Sequence, residues 1–261
     1  MGLLISDTLT NYSGDMDTLR SDENYCALCQ CTIKENTLFT DLSEGQLDSF
    51  KDVIIFSTFR KRDVIFLEGD LVEGLYVVRS GRVKLLRGSV KGKEQIIKIL
   101  GPGDILGFEV FYGAHAFTNT AIAMEDCELC YIRKSDFFSI IETDSDMARK
   151  LILSLGRELN EAYGRIGNLG LLNAREKMAH LLSTLAGEYG SELGNGSIRL
   201  NLTLSRLEIA ELLGITQETS IRLLKGFKEE GIISIKRKEI IIISLEKLMK
   251  IAGIEAPEQG A

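Results

Sequence analysis

Residues 205–235 read SRLEIAELLGITQETSIRLLKGFKEEGIISI, and 236–244 continue KRKEIIIIS. Ser205 followed three residues later by Glu208 is a capping box, and it opens a helix that runs to about Leu213. Gly214-Ile215 supplies a turn. Thr216 caps a second helix from Gln217 to about Glu230, and Gly231 stands where a C-terminal glycine belongs. Residues 232–235 and 240–244 then flank Lys236-Arg237-Lys238-Glu239, a β-hairpin with a basic tip. Two short helices joined by a glycine turn, with a basic hairpin behind them, predict a winged helix-turn-helix.

Such a motif places its second helix in the major groove of duplex DNA, N-terminal residues against base edges. Gln217, Glu218, Ile221 and Arg222 occupy that exposed start. Arg222 can bond guanine O6 and N7 together, and Glu218 can accept from cytosine N4. The two also stand four residues apart and could instead pair with each other on the helix face. Ser205, Thr216, Lys225 and Lys236 are the expected phosphate contacts. Ile209, Leu212, Leu213, Ile215, Leu223 and Leu224 form the expected packing face. The net charge of −7 does not oppose this reading, because a DNA reader needs only a local positive face. Arg222, Lys225, Lys228, Lys236, Arg237 and Lys238 supply one.

Upstream, short strands at 53–59, 64–67, 75–78, 82–87, 95–100 and 127–132 alternate with turns. Gly69-Asp70, Ser80-Gly81, Gly92 and Gly101-Pro102-Gly103-Asp104 mark those turns. This rhythm predicts a sandwich or barrel-like β domain. After Thr143 the period changes. Ala148, Ile152, Leu155, Leu159, Ala162, Ile166 and Leu169 recur four and three residues apart, an a/d seam sustained for about three heptads. A β domain feeding such a helix suggests a homodimer; the alternative is a single helix packed on its own domain. The expected class is therefore α+β. It comprises a cysteine-containing segment over 1–37, a β sensor domain over 38–143 and a dimerisation helix over 144–173. The winged helix-turn-helix domain follows over 174–252, and a tail over 253–261.

The chain has 261 residues, enough for two modest domains. No apolar run reaches the ~18 residues of a membrane span, and the N-terminus lacks the basic region of a secretory signal. Met1-Gly2 with Ser6 fits the loose myristoylation pattern, but a flexible tail is the plainer reading. The five cysteines are Cys26, Cys29, Cys31, Cys127 and Cys130. An odd number without a signal peptide argues for reduced thiols in the cytoplasm. No P-loop, nucleophile–base constellation or histidine-rich metal motif points to an enzyme.

The reading-head sequence, especially Glu218-Thr219 and Arg222, resembles that of the FNR/CRP family, the fumarate–nitrate reduction and cyclic-AMP receptor regulators. FLEGDLVEGLYVVRSGRVKLLR (66–87) and ILGPGDILGFEVF (99–111) resemble the family's cyclic-nucleotide-binding-type β-roll. The seam helix lies where the family places its dimer helix. The resemblance implies a transcription regulator that partners duplex DNA, itself and RNA polymerase, with no role for a membrane.

Cyclic-nucleotide binders in this superfamily carry Gly-Glu and then an Arg-Ser or Arg-Thr pair. This chain has Gly107-Phe108-Glu109 and, at the pair's place, Thr118-Asn119. Without the arginine a cyclic phosphate loses its bidentate partner, so cyclic AMP is not expected. The FNR branch instead holds an oxygen-labile 4Fe–4S cluster on three N-terminal cysteines and one in the β-roll. Cys26, Cys29 and Cys31 match that plan in number, although the third lies closer than in the FNR pattern. Thiolates suit iron–sulfur or zinc equally by chemistry alone; unligated thiols are the remaining alternative. Cys127 and Cys130 would face opposite sides of one strand, and polarity does not choose between them. The resemblance assigns Cys130 as the fourth ligand. The other readings put a small organic effector or a haem in the β-roll, the haem with His115 as axial ligand. FNR-type proteins that switch between monomer and dimer place an acid in the seam. Ala162 stands there in this chain, with Glu158 and Glu161 only flanking, so the dimer is expected to survive loss of its cofactor.

Overall fold

The structure is a computed structural model that describes residues 38–39, 41–89, 92–194 and 196–254. Cys26, Cys29 and Cys31 lie outside the described residues. Leu38 and Phe39 are both fully buried. Phe39 packs edge-on against Phe50, ring centroids 5.5 Å apart. Phe50 belongs to helix α1 (Glu44–Lys51), whose start Ser43 and Gln46 cap reciprocally.

Eight strands follow: β1 (Ile54–Phe59), β2 (Val64–Phe66), β3 (Gly74–Ser80), β4 (Val83–Gly88), β5 (Glu94–Leu100), β6 (Ile105–Leu106), β7 (Thr120–Ala123) and β8 (Cys127–Arg133). They form two four-stranded sheets, ordered β1-β8-β3-β6 and β2-β7-β4-β5. All their pairings are antiparallel. Leu75, Val77, Val83, Leu106, Leu129 and Ile132 fill the core of this roll. The turn into β4 requires glycine: Gly81 has φ +81°, and a Cβ there would meet Asp126 O at 2.5 Å and Cys127 Sγ at 2.7 Å. The sequence reading missed β6 and β7. The first has two residues, and the second, TAIA, gains its place by pairing on both sides, which buries Ala121 and Ala123.

Helix α2 (Lys134–Thr143) leads to α3 (Ser145–Leu171). Asp144 caps α3 by accepting from the amides of Asp146 and Met147 at 2.9 and 3.1 Å. Gln46 Nε2 donates to Asp144 Oδ2 at 2.8 Å, so α1 braces the helix start. Met147 and Leu151 enter the roll's core. Beyond them the seam emerges from it.

At Leu172-Asn173 the chain turns, and Asn173 with Glu176 caps α4 (Ala174–Tyr189). The rest runs β9 (Gly190–Glu192), β10 (Ile198–Leu200), α5 (Arg206–Leu213), α6 (Gln217–Glu229), β11 (Ile233–Lys236), β12 (Glu239–Ile242) and α7 (Leu245–Ala252). The sheet order is β11-β12-β10-β9. A second core gathers Met178, Leu182, Ile209, Leu224, Phe227, Ile233, Ile242 and Leu248. Helix α7, unread in the sequence, buries Leu248 and Ala252 there. No helix among the described residues is long and apolar enough to cross a membrane.

Candidate nucleic-acid interface and sensor site

The two reading helices are set by local chemistry. Ser205 Oγ accepts from the Glu208 amide at 3.1 Å, and the Ser205 amide donates to Glu208 Oε2 at 2.9 Å. Gly214 adopts φ +64° and closes α5, as the left-handed cap position favours. Thr216 then opens α6 by accepting from the Thr219 amide at 3.3 Å.

Helical period decides which face of α6 shows. Ser220, Leu224 and Phe227 are buried, while Gln217, Glu218, Ile221, Arg222 and Lys225 are exposed. All four residues expected at base edges therefore share the open side of the helix. The Glu218 carboxyl is held below its usual range by its own backbone amide and the Thr216 hydroxyl. Among the described residues no ion pair joins Glu218 to Arg222. Lys225 does pair with Glu229, at 3.7 Å and largely in solvent, a contact weak enough for a phosphate to displace. Ser205 and Thr216 stand exposed at the starts of their helices. Ile209, Leu213 and Leu224 are buried, and Leu212, Ile215 and Leu223 are half-buried.

In the wing, Lys236 pairs directly with Glu239, so the ladder extends one residue further at each side than the sequence reading placed it. Only Arg237 and Lys238 form the turn. Arg237 has φ +56°, a region where a non-glycine residue is uncommon. Lys236, Arg237 and Lys238 are all exposed.

The sensor side holds the two other cysteines. Both are buried on β8. The Cys127 thiol donates to Arg82 O and Glu125 O at 3.2 and 3.1 Å, and burial pushes its pKa up. Cys130 pairs in register with Phe56 and Val77 and lies in the same apolar core as Leu38 and Phe39. Among the described residues no group of three or more His, Cys, Asp or Glu side chains is placed to hold a metal.

Gly107, at φ +88°, starts a 3-10 turn over Phe108–Tyr112. It carries Glu109 inward, where Oε1 accepts from the Thr118 amide and hydroxyl at 3.0 and 2.6 Å. Asn119 donates to the same Thr118 hydroxyl at 3.0 Å. A cavity of about 890 Å³ lies beside this turn, lined by Ile96, Phe108, Leu169, His180, Leu181 and Tyr189 among others. His180 is half-buried and bonded to Asn168 at 2.9 Å, whereas His115 is exposed. Sequence reasoning missed Lys84, Gln95 and Arg175, whose partners in the reading head lie far along the chain; no local signal marks them.

A nucleotide-binding-type roll, a long capped helix and a winged helix-turn-helix define a two-domain, DNA-binding transcription regulator. Residues 56–144 match the model of the cyclic nucleotide-binding domain, and 176–251 match the Crp-like helix-turn-helix domain. The chain is 30% identical over 237 residues to electron transport regulator A of Shewanella oneidensis, covering 90% of this chain and 94% of that one. It is 30% identical over 232 residues to the fumarate and nitrate reduction regulatory protein of Vibrio cholerae, covering 88% and 92%. The structure of FixK2 from Bradyrhizobium japonicum superposes with a TM-score of 0.69 at 25% identity, covering 78% of this chain and 99% of that one. The protein belongs to the FNR/CRP family, whose members matched here are regulators and not enzymes.

Proposed function

We propose that the protein acts as a cytoplasmic homodimer on a palindromic DNA site, under control of an iron–sulfur cluster that senses oxygen, nitric oxide or redox state. The observation that carries the dimer is the outward face of α3. Ile152, Leu159 and Ile166 are 69%, 53% and 66% exposed, a continuous apolar stripe that a second copy's helix would cover. A two-fold axis then presents two α6 helices to successive major grooves, about 34 Å apart. Gln217, Glu218, Ile221 and Arg222 read base edges. Ser205, Thr216, Lys225 and Lys236 hold phosphates. RNA polymerase is the further partner such a regulator addresses at a promoter.

The donor set fits the cluster. Among the described residues no group of three or more His, Cys, Asp or Glu side chains is placed to hold a metal, and the proposed cluster draws on Cys26, Cys29 and Cys31. Cys31 lies seven residues before Leu38, and an extended chain of that length spans up to ~24 Å. Leu38 shares its core with Cys130. Cys127 donates as a thiol to two carbonyls, and the family resemblance assigns Cys130 as the roll's ligand. When bound, the cluster supplies redox chemistry at thiolate-ligated iron. The roll does not take cyclic AMP in this reading: Glu109 already accepts from Thr118, and Thr118-Asn119 stands where the nucleotide binders carry their arginine pair. Glu158 and Glu161 both accept from Lys98, so they bring little like charge to the seam. The dimer accordingly outlasts the cofactor and signals by reorienting its heads.

The cavity of about 890 Å³ favours a second reading, a small organic effector between roll and helix. Iron and acid-labile sulfide in protein purified without oxygen decide between them. Both are expected in the anaerobic protein; their absence, with no visible absorption band, would favour the effector, and a sharp Soret band would favour haem.

A further inference from the structure

Among the described residues of the reading domain, three large apolar side chains stand exposed: Leu207, Ile221 and Ile243. Only Ile221 lies on α6. It is 48% exposed, one helical turn past Gln217 and directly before Arg222. Ser220 and Leu224 turn into the domain and are buried. Leu212, Ile215 and Leu223 pack against its apolar core, and Ile221 does not. The other exposed side chains between 217 and 225 are Gln217, Glu218, Arg222 and Lys225, all polar or charged.

The fold gains nothing from an isoleucine at this place. A β-branched side chain is stiff in a helix and slightly unfavourable there. Its apolar surface also stays in water, where burial would have stabilised it. The reason for an apolar residue amid four polar ones therefore lies outside the protein, on the surface that α6 meets.

The major groove presents one apolar group that such a side chain can match. Thymine carries a C5 methyl, whereas both purines present N7 as an acceptor. Isoleucine set over N7 would bury an acceptor without a partner. Set over the methyl, it removes apolar surface from water on both sides. Isoleucine has neither donor nor acceptor, so it does not sense the polar edge beside the methyl. It responds to the methyl group itself and not to the base that carries it. Cytosine methylated at C5 puts the same group at the same point of the groove.

We propose that Ile221 reads a 5-methylpyrimidine. It selects thymine near the guanine taken by Arg222, and it makes the reading head responsive to methylation of a cytosine standing in thymine's place. Ile221 and Arg222 are consecutive on the helix, so the two bases lie within about two base pairs of each other, at ~3.4 Å of axis per pair. The proposal rests on the reading of α6 given above and adds to it the chemical group that is recognised.

The test uses the full-length protein, which first selects its site from a library of random duplexes. Each thymine of the recovered site is then replaced, one at a time, by uracil, which removes only the methyl. One thymine for each reading helix should respond, with binding weakened about fourfold, the effect of burying one methyl group. Ile221→Ala should bind the thymine and uracil duplexes alike, and Ile221→Val should keep the preference. With cytosine at the responsive position, methylation at C5 should strengthen binding about fourfold in the parent protein and leave Ile221→Ala unchanged. The salt dependence of Ile221→Ala should equal the parent's, because no phosphate contact is lost. Equal binding of thymine and uracil by the parent at all positions overturns the proposal. So does a uracil effect that persists in Ile221→Ala, or a methylated cytosine that brings no gain. Arg222→Ala separates this inference from the wider reading. A relaxed guanine preference in that variant, beside a flat uracil scan in the parent, removes the methyl contact alone. Unchanged selection in Arg222→Ala shows that α6 does not face the bases as described, and the methyl contact falls with it.

Discussion

Arg175 lies over Phe227, its guanidinium carbon 4.8 Å from the ring centroid, at the start of α4 beneath the end of α6. Its two terminal nitrogens donate to both carboxylate oxygens of Glu230 at 2.8 and 2.7 Å. The planar fork thus serves a ring and a carboxylate at once, which an ammonium cannot do. Arg175→Lys is expected to lower the stability of the reading domain, with the stacking on Phe227 worth on the order of 1 kcal/mol. DNA sequence preference should stay as it was, because neither residue is on the open face of α6. Calorimetry beside a binding assay checks this; a changed preference with unchanged melting would contradict the packing role.

The dimer has a cleaner test than the whole seam offers. Leu155 is only half-exposed and packs against the roll's core, so changing it confounds folding with association. Ile152 and Leu159 stand clear. Replacing both by Glu would place like charges opposite each other across a two-fold axis. The variant should sediment as a folded monomer and lose specific DNA binding. Sedimentation as a dimer would remove this face from the account.

On DNA, Arg222→Ala should cost about 1–3 kcal/mol and relax the preference at one guanine. Lys236→Ala should weaken binding to all sequences alike and make it less salt-dependent. Binding to randomised sites at several salt concentrations separates the two effects. Intact specificity in Arg222→Ala would mean that α6 is turned differently in the groove.

The reading motif was legible because its determinants are local. Ser205 and Glu208, Gly214, and Thr216 each act within a few residues of themselves, and the exposed face of α6 follows from helical period. The roll was legible in six of its eight strands, the three-residue β2 included, while β6 and β7 went unread. The docking of the head was not legible at all: Lys84 and Glu208 are 124 residues apart, and neither has an unusual neighbourhood in sequence. Leu155 shows a subtler limit. The heptad pattern places it in the seam, but a seam residue at the root of a helix can turn partly into its own domain. Nor could a charge run reveal that Glu158 and Glu161 lean toward Lys98.

His180 links the long helix to the reading domain through Asn168, and burial lowers its pKa below the ordinary value near 6.5. The unfolded chain therefore binds the proton first as pH falls. Stability contributed by neutral His180 is present above about pH 6.5 and declines as pH drops through and below that value. The α3–α4 junction, which also holds Lys177 and Thr184, should show less protection from hydrogen exchange, once corrected for the pH dependence of the intrinsic rate, at pH 5.5 than at pH 7.5, values that bracket the ~6.5 reference. His180→Gln, which can still bond Asn168, should flatten that dependence. An equally steep response in the variant would assign it to other groups.

The two cysteines of β8 provide the last test. Cys127 is bonded to Arg82 O and Glu125 O and closes the space beneath Gly81, where a Cβ would already meet its sulfur. A hydroxyl is smaller than a thiol and can keep those two hydrogen bonds. Cys127→Ser should therefore lose some packing but retain iron and sulfide. Cys130 has apolar register partners, Phe56 and Val77, and shares its core with the residues through which the cysteine segment arrives. Cys130→Ser should abolish the cluster or destabilise it sharply, since a serine oxygen is a poor substitute for thiolate on iron. Metal and sulfide analysis of both variants, prepared without oxygen and compared at equal folded fraction by circular dichroism, reads the outcome. Loss of iron only in Cys127→Ser would transfer the ligand role to that residue. Retention in both would leave the roll without a cysteine ligand and confine any centre to Cys26, Cys29 and Cys31.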